Sequence, residues 1–593
     1  MSKKIDTLAK SIEINIPITM ILNKINIYKS IFLIFLTSLF YHNTQAQSYT
    51  RELILPMDIP IFLSANFGEL RPNHYHTGID IKTQSIIGLN VFSIDDGYVS
   101  RIKVGPKGYG KTIFITHPNG IISVYAHLEA FSKSIDQLTQ EYQYEQKLNI
   151  VDFSIEKNKL TVKKGEIIAK AGNSGSSQGP HLHFEIRDAY SERALNPLQF
   201  YPQITDNVAP KIFYVKLYPL DSLSTINGKN SPLISKAVLK GQNAYTINQK
   251  IIVSGNIGVG IQGDDYFPDV HHTFGFYSID LYLDDSLIYA HKLDKVDFGE
   301  SKNINNFIDY DHYTKTKKHI QKSYISTFNK LGIYQSQVLD GKIHAYNEGN
   351  HHLTFEVKDF AQNKATLNLD ITYSKSNENK NSSSNLSSYF DTRKIQCDGC
   401  ALVIPKGNFY DAENITCRKI TANSPYLLSD IYSFSNQSIA IKGAAKLSLP
   451  IDSIDKNLLS KIQIVSVRNK QINKYIGGII NNNYITAYIT NFSNYSIGID
   501  TIKPNIINRT TLKGERIYTN EIKFFISDNE SGILCYNAYI DGNWTIVDYD
   551  AKYNLAKVYL DNEKIKSNTN HTISFLVTDN SGNTEEFTDT FFW

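Results

Sequence analysis

The stretch "HYHTGIDI", residues 74–81, sets two histidines and an aspartate around a glycine. His76 and Asp80 are four apart, so on an extended segment their side chains leave the same face. Gly78 between them lets a backbone or a substrate come close. A hundred residues on, "SGSSQGPHLHFEIRD" alternates His181 and His183 with Leu182 and Phe184. On a strand both histidines then face one side, and the two apolar side chains face the other. By the same count His127, in "SVYAHLE", shares a strand face with Tyr125.

Catalytic zinc takes three nitrogen or oxygen ligands and keeps one position open. Two histidines and one aspartate meet that need. Further histidines could move protons or bind an oxyanion. Spacing alone does not divide these roles among His74, His76, His117, His127, His181 and His183. A single histidine beside a turn is more often a solvated or capping group. Their concentration in one β-rich, glycine-rich stretch is what points to a metal.

The elements that must hold them are short strands. Residues 52–202 run through "GLNVFSIDDGYVSRIKVG", "KTIFITHPNGIISVYAHL" and "GEIIAKAG", broken by Gly, Asn-Gly and Asp-Gly. Asn119-Gly120 predicts a hairpin turn. One segment, "SKSIDQLTQEYQYEQKLN" at 132–149, is polar with helical spacing and predicts a helical insertion over the sheet.

At 593 residues the chain is too long for one core. With 38 Tyr, 30 Phe and only 3 Met, its composition leans to β structure. Two distant stretches resemble each other, "HHLTFEVKDFAQNKATL" and "HTISFLVTDNSGNTEEF". They align Phe355 with Phe575, Val357 with Val577, Asp359 with Asp579 and Asn363 with Asn583. The repeat predicts two related, immunoglobulin-like β-sandwich modules at 205–375 and 501–593. Between them lie a polar linker, 376–388, and a β-rich module, 389–500.

Residues 1–46 read as a signal peptide. Lys24 and Lys29 precede the apolar run "IFLIFLTSLF", and small residues follow at Thr44 and Ala46. The chain is therefore expected to be exported, to the periplasm or to the cell envelope and outer membrane. With the leader's five lysines and two acids set aside, positive and negative side chains balance. Nothing in that balance argues for a nucleic-acid surface. Cys397, Cys400, Cys417 and Cys535 sit in a chain whose export permits disulfides. With no second CxxC to complete a thiolate zinc site, a local bridge or one between Cys400 and Cys417 is expected.

"HTGIDI", "DDGYV", "GYGKTIFITHPNG", "VYAHL" and "VKKGEIIAKAGNSGSSQGPHLHFEIR" resemble, in order, the lysostaphin/LytM-type zinc endopeptidase domain of peptidase family M23. The opening "LSANFGELRPNHYHTGIDIKT" resembles the version in multidomain exported proteins of Bacteroidetes-type bacteria. The resemblance covers about a quarter of the chain and implies an antiparallel peptidase domain at 47–204, within a mainly β protein. It implies one Zn2+ per chain, held by His76, Asp80 and His183. It makes His127 and His181 the catalytic histidines, acting with zinc-activated water. The implied substrate is a peptidoglycan stem peptide, cut at the D-alanyl–meso-diaminopimelate cross-link. Family members that have lost their ligands act as non-catalytic activators, so a wall-binding or scaffolding factor is the alternative reading. A protease of proteins is a third. The C-terminal modules could bind envelope partners. The insertion is expected to shape or cover the groove. Asn66, Asn73 or the flanking modules are candidates to hold the metal latent.

Overall fold

Hydrophobic alternation through 111–131 and 181–188 builds the centre of the first sheet. The computed structural model describes residues 52–593 apart from 269, 337, 345–346, 375–386, 411–414, 423, 436 and 562–563. The expected signal peptide, 1–46, and most of the expected linker, 376–388, lie outside the described residues. Eight strands position the site: β1 (Leu63–Ala65), β2 (Ile79–Lys82), β3 (Gly97–Val104), β4 (Lys111–Thr116), β5 (Ile121–Phe131), β6 (Thr161–Val162), β7 (Ile167–Ala171) and β8 (His181–Asp188). They are ordered β1-β2-β8-β5-β4-β3-β6 with antiparallel neighbours, and β7 pairs with β5. The β4–β5 hairpin turns at Asn119-Gly120, with Gly120 at φ 82°.

β8 lies between β2 and β5. Its register sets His183 opposite both Asp80 and Ala126. Leu182, Phe184 and Ile186 turn the other way into the core, where Phe184 packs against Tyr125. Gly78 allows the approach of β8 to the segment before β2. A Cβ there would lie 2.3 Å from the Phe184 carbonyl oxygen.

The expectation that His127 shares a face with Tyr125 is corrected. Tyr125 faces the core, its hydroxyl accepting from Ile94 N at 3.1 Å. His127 lies on the opposite face, its ring centroid 5.9 Å from that of His183. The cause is a break in the β4–β5 register between Lys111 and Ile113, with His127 at φ 60°. Such a bulge puts an extra residue into one strand and re-aims a side chain.

α1 (Lys133–Gln146) follows β5 and buries Ile135, Thr139 and Gln143. It ends at Lys147, whose left-handed backbone closes on Gln143 O. The insertion reaches toward the last sandwich. Asn149 Nδ2 donates to Tyr536 O at 2.8 Å, Val547 N donates to Asn149 Oδ1 at 2.8 Å, and Tyr144 meets Trp544 edge-on. The insertion thus serves as a dock for the last sandwich. Lys111 adds an ion pair with Asp548 at 2.8 Å.

Leu70–Arg71 and His74–Tyr75 form a small two-stranded ladder, and the other six sheets pack in pairs. A four-stranded and a nine-stranded sheet enclose the core of 211–373, which includes Val215, Ile261, Phe355 and Leu367. Two five-stranded sheets enclose Leu402, Leu447 and Ile497, and two four-stranded sheets enclose Phe524, Phe575 and Val577. The first sandwich is not separate from the peptidase sheet. Ala194–Leu195 pairs with Lys295–Val296, and one apolar cluster joins Phe67 and Tyr75 to Tyr277, Leu293 and Phe307. The bridge expected at the cysteines is not formed: all four are free thiols. Cys397 and Cys400 face each other across a hairpin, and Cys417 interacts with both rather than with one partner.

Candidate metal and catalytic centre

His76 Nε2, Asp80 Oδ1 and His183 Nδ1 form a triangle with sides of 3.0, 3.0 and 2.9 Å. The segment before β2 supplies His76, β2 supplies Asp80, and β8 supplies His183. All three side chains are buried or nearly so. The hydrogen bonds behind them assign their tautomers. His76 Nδ1 faces the Asn66 carbonyl oxygen at 2.7 Å and must donate to it, which leaves a lone pair on Nε2. His183 Nε2 faces Glu185 Oε1 at 2.9 Å and donates to it, which leaves a lone pair on Nδ1. Two imidazole lone pairs and a carboxylate oxygen therefore point at one another. A cation relieves that repulsion, and the donor set suits zinc: two nitrogens and one oxygen, with further positions open.

Glu185 anchors the back of the site. It accepts from Thr77 Oγ1 at 2.6 Å, Tyr109 OH at 2.5 Å and Arg187 Nε at 2.6 Å, besides His183. Burial would raise its carboxyl, but the Arg187 guanidinium and these donors outweigh burial and hold it at about 2. Burial would lower His183; its bonds to Asp80 and Glu185 win and raise it to about 9, so without a metal Nδ1 carries a proton shared with Asp80, and the lone pair is freed when a cation displaces that proton. Tyr109 also stacks on the His183 ring, with centroids 5.3 Å apart. A carboxylate behind a ligating histidine fixes its orientation and raises its basicity. Glu185→Gln is expected to weaken metal affinity by about 10- to 100-fold with the fold intact. Competition with a chromogenic chelator measures this, and unchanged affinity would remove Glu185 from the site.

His127 and His181 stand beside the triangle, with ring centroids 4.8 Å apart. His127 Nδ1 donates to Ser174 O at 2.8 Å, and His181 Nδ1 donates to Gly179 O at 2.8 Å. Each Nε2 is thus the basic nitrogen. Burial lowers both, His127 to about 3 with help from His183 and His181. Both rings are neutral at neutral pH, each with its lone pair on Nε2. The loops that orient them pack backbone against backbone: a Cβ on Gly175 would lie 2.4 Å from Gly108 O and from Gly110 N.

The structure brings together five of the histidine and aspartate candidates and leaves two aside. His74 is exposed, with Nδ1 2.9 Å from Pro72 O. His117 is buried elsewhere, bound to Ser123 Oγ and Asp96 O. Glu185, Arg187, Tyr109 and Thr77 were not singled out from the sequence. The first two continue the alternation of His181 and His183 along β8, and that is the signal that could have found them. Neither asparagine proposed to hold the metal latent reaches it through its side chain. Asn66 is tied to the Gly275 backbone at 2.8 and 3.0 Å, and Asn73 accepts from Asn305 at 2.8 Å.

The sheet and site define a metallopeptidase type of domain. Residues 74–144 and 137–197 match the model of peptidase family M23, and the chain carries an M23 peptidase domain. Residues 384–500 match a Zu5-like domain. An "uncharacterized metalloprotease" of Haemophilus influenzae is 34% identical over 131 residues, 22% of this chain and 21% of that protein. "DD-carboxypeptidase/endopeptidase Mpg" of Neisseria meningitidis serogroup B is 34% identical over 112 residues, 19% of this chain and 20% of that one. "Murein hydrolase activator NlpD" of Escherichia coli is 32% identical over 126 residues, 21% and 26% of the two chains. The chain thus spans about a fifth of the length of the first two relatives. Among solved structures, a zinc-containing peptidase from Vibrio cholerae is 26% identical, covering 25% of this chain and 39% of that one, with a TM-score of 0.19. The catalytic domain of lysostaphin from Staphylococcus simulans is 23% identical, covering 24% and 91%, with a TM-score of 0.18.

Proposed function

We propose that the chain is an exported zinc metallo-endopeptidase that hydrolyses peptide cross-links of peptidoglycan, at the D-alanyl–meso-diaminopimelate bond. The observation that carries this reading is the triangle of lone pairs on His76, Asp80 and His183 with two neutral histidines beside it. The relative named as a DD-carboxypeptidase/endopeptidase supports the substrate class.

Zinc held by His76, Asp80 and His183 would supply a Lewis acid and lower the pKa of a water. The chain's own residues do the rest. His127 and His181 offer basic Nε2 atoms, one to accept the proton of the attacking water and return it to the leaving amine. The other, once its Nε2 carries a proton, can donate to the developing oxyanion, where a positioned donor counts most. Glu185 keeps His183 in the tautomer that presents Nδ1. An extended stem peptide would lie along the loops 105–110 and 172–180.

A second reading is favoured by the relative named as a murein hydrolase activator: a wall-binding factor that stimulates another hydrolase. One experiment divides the two. Diaminopimelate-type sacculi are treated with residues 47–593, with and without chelator, and the released muropeptides are identified. Loss of cross-linked dimers with a matching rise in monomers, abolished by chelator, is expected. No change from protein holding one zinc, together with stimulation of an added wall hydrolase, would replace the first reading with the second.

A further inference from the structure

Three aspartates converge at the base of the first sandwich. Asp206 lies in the connector, Asp265 follows strand Ile257–Asp264, and Asp359 follows strand Gly349–Lys358. One carboxylate oxygen from each lies within 4.8 Å of the other two. Asp265 is only 1% exposed, and its Oδ1 has no hydrogen-bond partner. Asp206 Oδ2 is buried and has none either. Asp359 is held by Asn363, whose backbone N and Nδ2 donate to it at 2.8 and 2.6 Å. Asn363 Nδ2 also reaches the Asp206 carbonyl at 3.2 Å, and Val208 N donates to Asp206 Oδ1 at 2.9 Å.

The same arrangement recurs in the last sandwich. Asp500, Asp528 and Asp579 form the second group. Asn583 donates from N and Nδ2 to Asp579 at 2.8 and 2.7 Å, and from Nδ2 to the Asp500 carbonyl at 3.1 Å. Ile502 N donates to Asp500 Oδ1 at 3.0 Å. Again one oxygen, Asp528 Oδ2, is buried without a partner. Two modules thus repeat the same three carboxylates and supporting asparagine, and in both an oxygen is left bare.

A buried carboxylate oxygen without a donor is costly, and three carboxylates together repel. Burial, then the Asp359 charge, pushes the Asp265 carboxyl up to about 9, so the group needs a proton or a cation. We propose that the two clusters are sites for a hard divalent cation of the calcium class, one at the base of each sandwich. All-oxygen donors at irregular spacing suit Ca2+ better than the softer transition metals or the strictly octahedral Mg2+. In each site one ligand comes from the connector and two from strand ends. The ion would therefore fix the sandwich against what precedes it: the peptidase domain in one case, the 389–500 module in the other.

The test is a calcium titration of the full chain, stripped of divalent ions and reloaded with one equivalent of zinc, followed by calorimetry and thermal unfolding. Two Ca2+ are expected per chain, one in Asp265→Asn, one in Asp528→Asn, and none in the double variant. Mg2+ should bind more weakly. Without calcium Asp265→Asn, which replaces a carboxyl already holding a proton, should unfold close to the wild-type temperature; with calcium it should unfold below it. No calcium binding and no thermal shift in the wild type would overturn the proposal. So would single variants that still bind two ions, or an Asp265→Asn chain more stable than wild type with and without calcium. If Asp265→Asn does not fold, Asp528→Asn and the wild-type shift decide.

Discussion

His183→Ala is expected to leave the chain folded, without metal and without hydrolytic activity. His183 stands between the Asp80 and Glu185 carboxylates, so its removal takes the middle donor from the set. His76 and Asp80 alone fall short of the three ligands that a catalytic zinc needs. The fold should survive, because the apolar side of β8, Leu182, Phe184 and Ile186, is untouched. Glu185 keeps Thr77, Tyr109 and Arg187 as donors. Elemental analysis should find close to one zinc in the wild type and almost none in the variant, with circular dichroism unchanged. A variant that retains zinc and turns over cross-linked dimers at the wild-type rate would sink the ligand assignment.

His127→Ala should give the opposite pattern: zinc retained and turnover lowered by about 10²- to 10⁴-fold, the usual size of a lost proton-transfer group. No hydrogen bond joins His127 to the three donors, so metal content should not move. Stability should move little as well. Alanine at φ 60° meets the same steric cost of roughly 1–2 kcal/mol that histidine already meets there. The measurement is kcat beside zinc content and melting temperature. Unchanged kcat would assign the proton to His181 alone.

Much of this centre was legible because a strand has a period of two. His181 and His183 face one side because Leu182 and Phe184 must face the core; His76 instead reaches Asp80 from outside the strand, across a bend at Gly78. The placement of His127 was not legible. Counting in twos from Tyr125 put it on the core face, and no glycine marks the bulge that turns it. Glu185 and Arg187 obey the alternation, yet look from sequence like an ordinary charged strand end.

The cysteine hairpin misled in another way: Cys397 and Cys400 lie close in sequence and in space, but closeness left Cys417 with two neighbours rather than one bond. Contacts between modules had no sequence signal. Asn149 holds Tyr536 and Val547 with one amide, and a polar side chain in a helical insertion does not announce a partner nearly four hundred residues away. The two sandwiches were legible through Phe355 and Phe575, which both fill cores. Asp359 and Asp579 were legible only as matching positions of the repeat, while the two further carboxylates that meet each of them come from other strands and from the connector.

The extra residue in β5 works as a spacer between two alternation frames: Tyr125 of the core and His127 of the candidate site sit two apart yet on opposite sides. Deleting one residue between Tyr125 and Leu128 would restore a regular ladder and carry the histidine off the reactive face, although no chemical group at the centre had been altered. Residue count in this hairpin is as much a requirement for the proposed chemistry as the histidine itself.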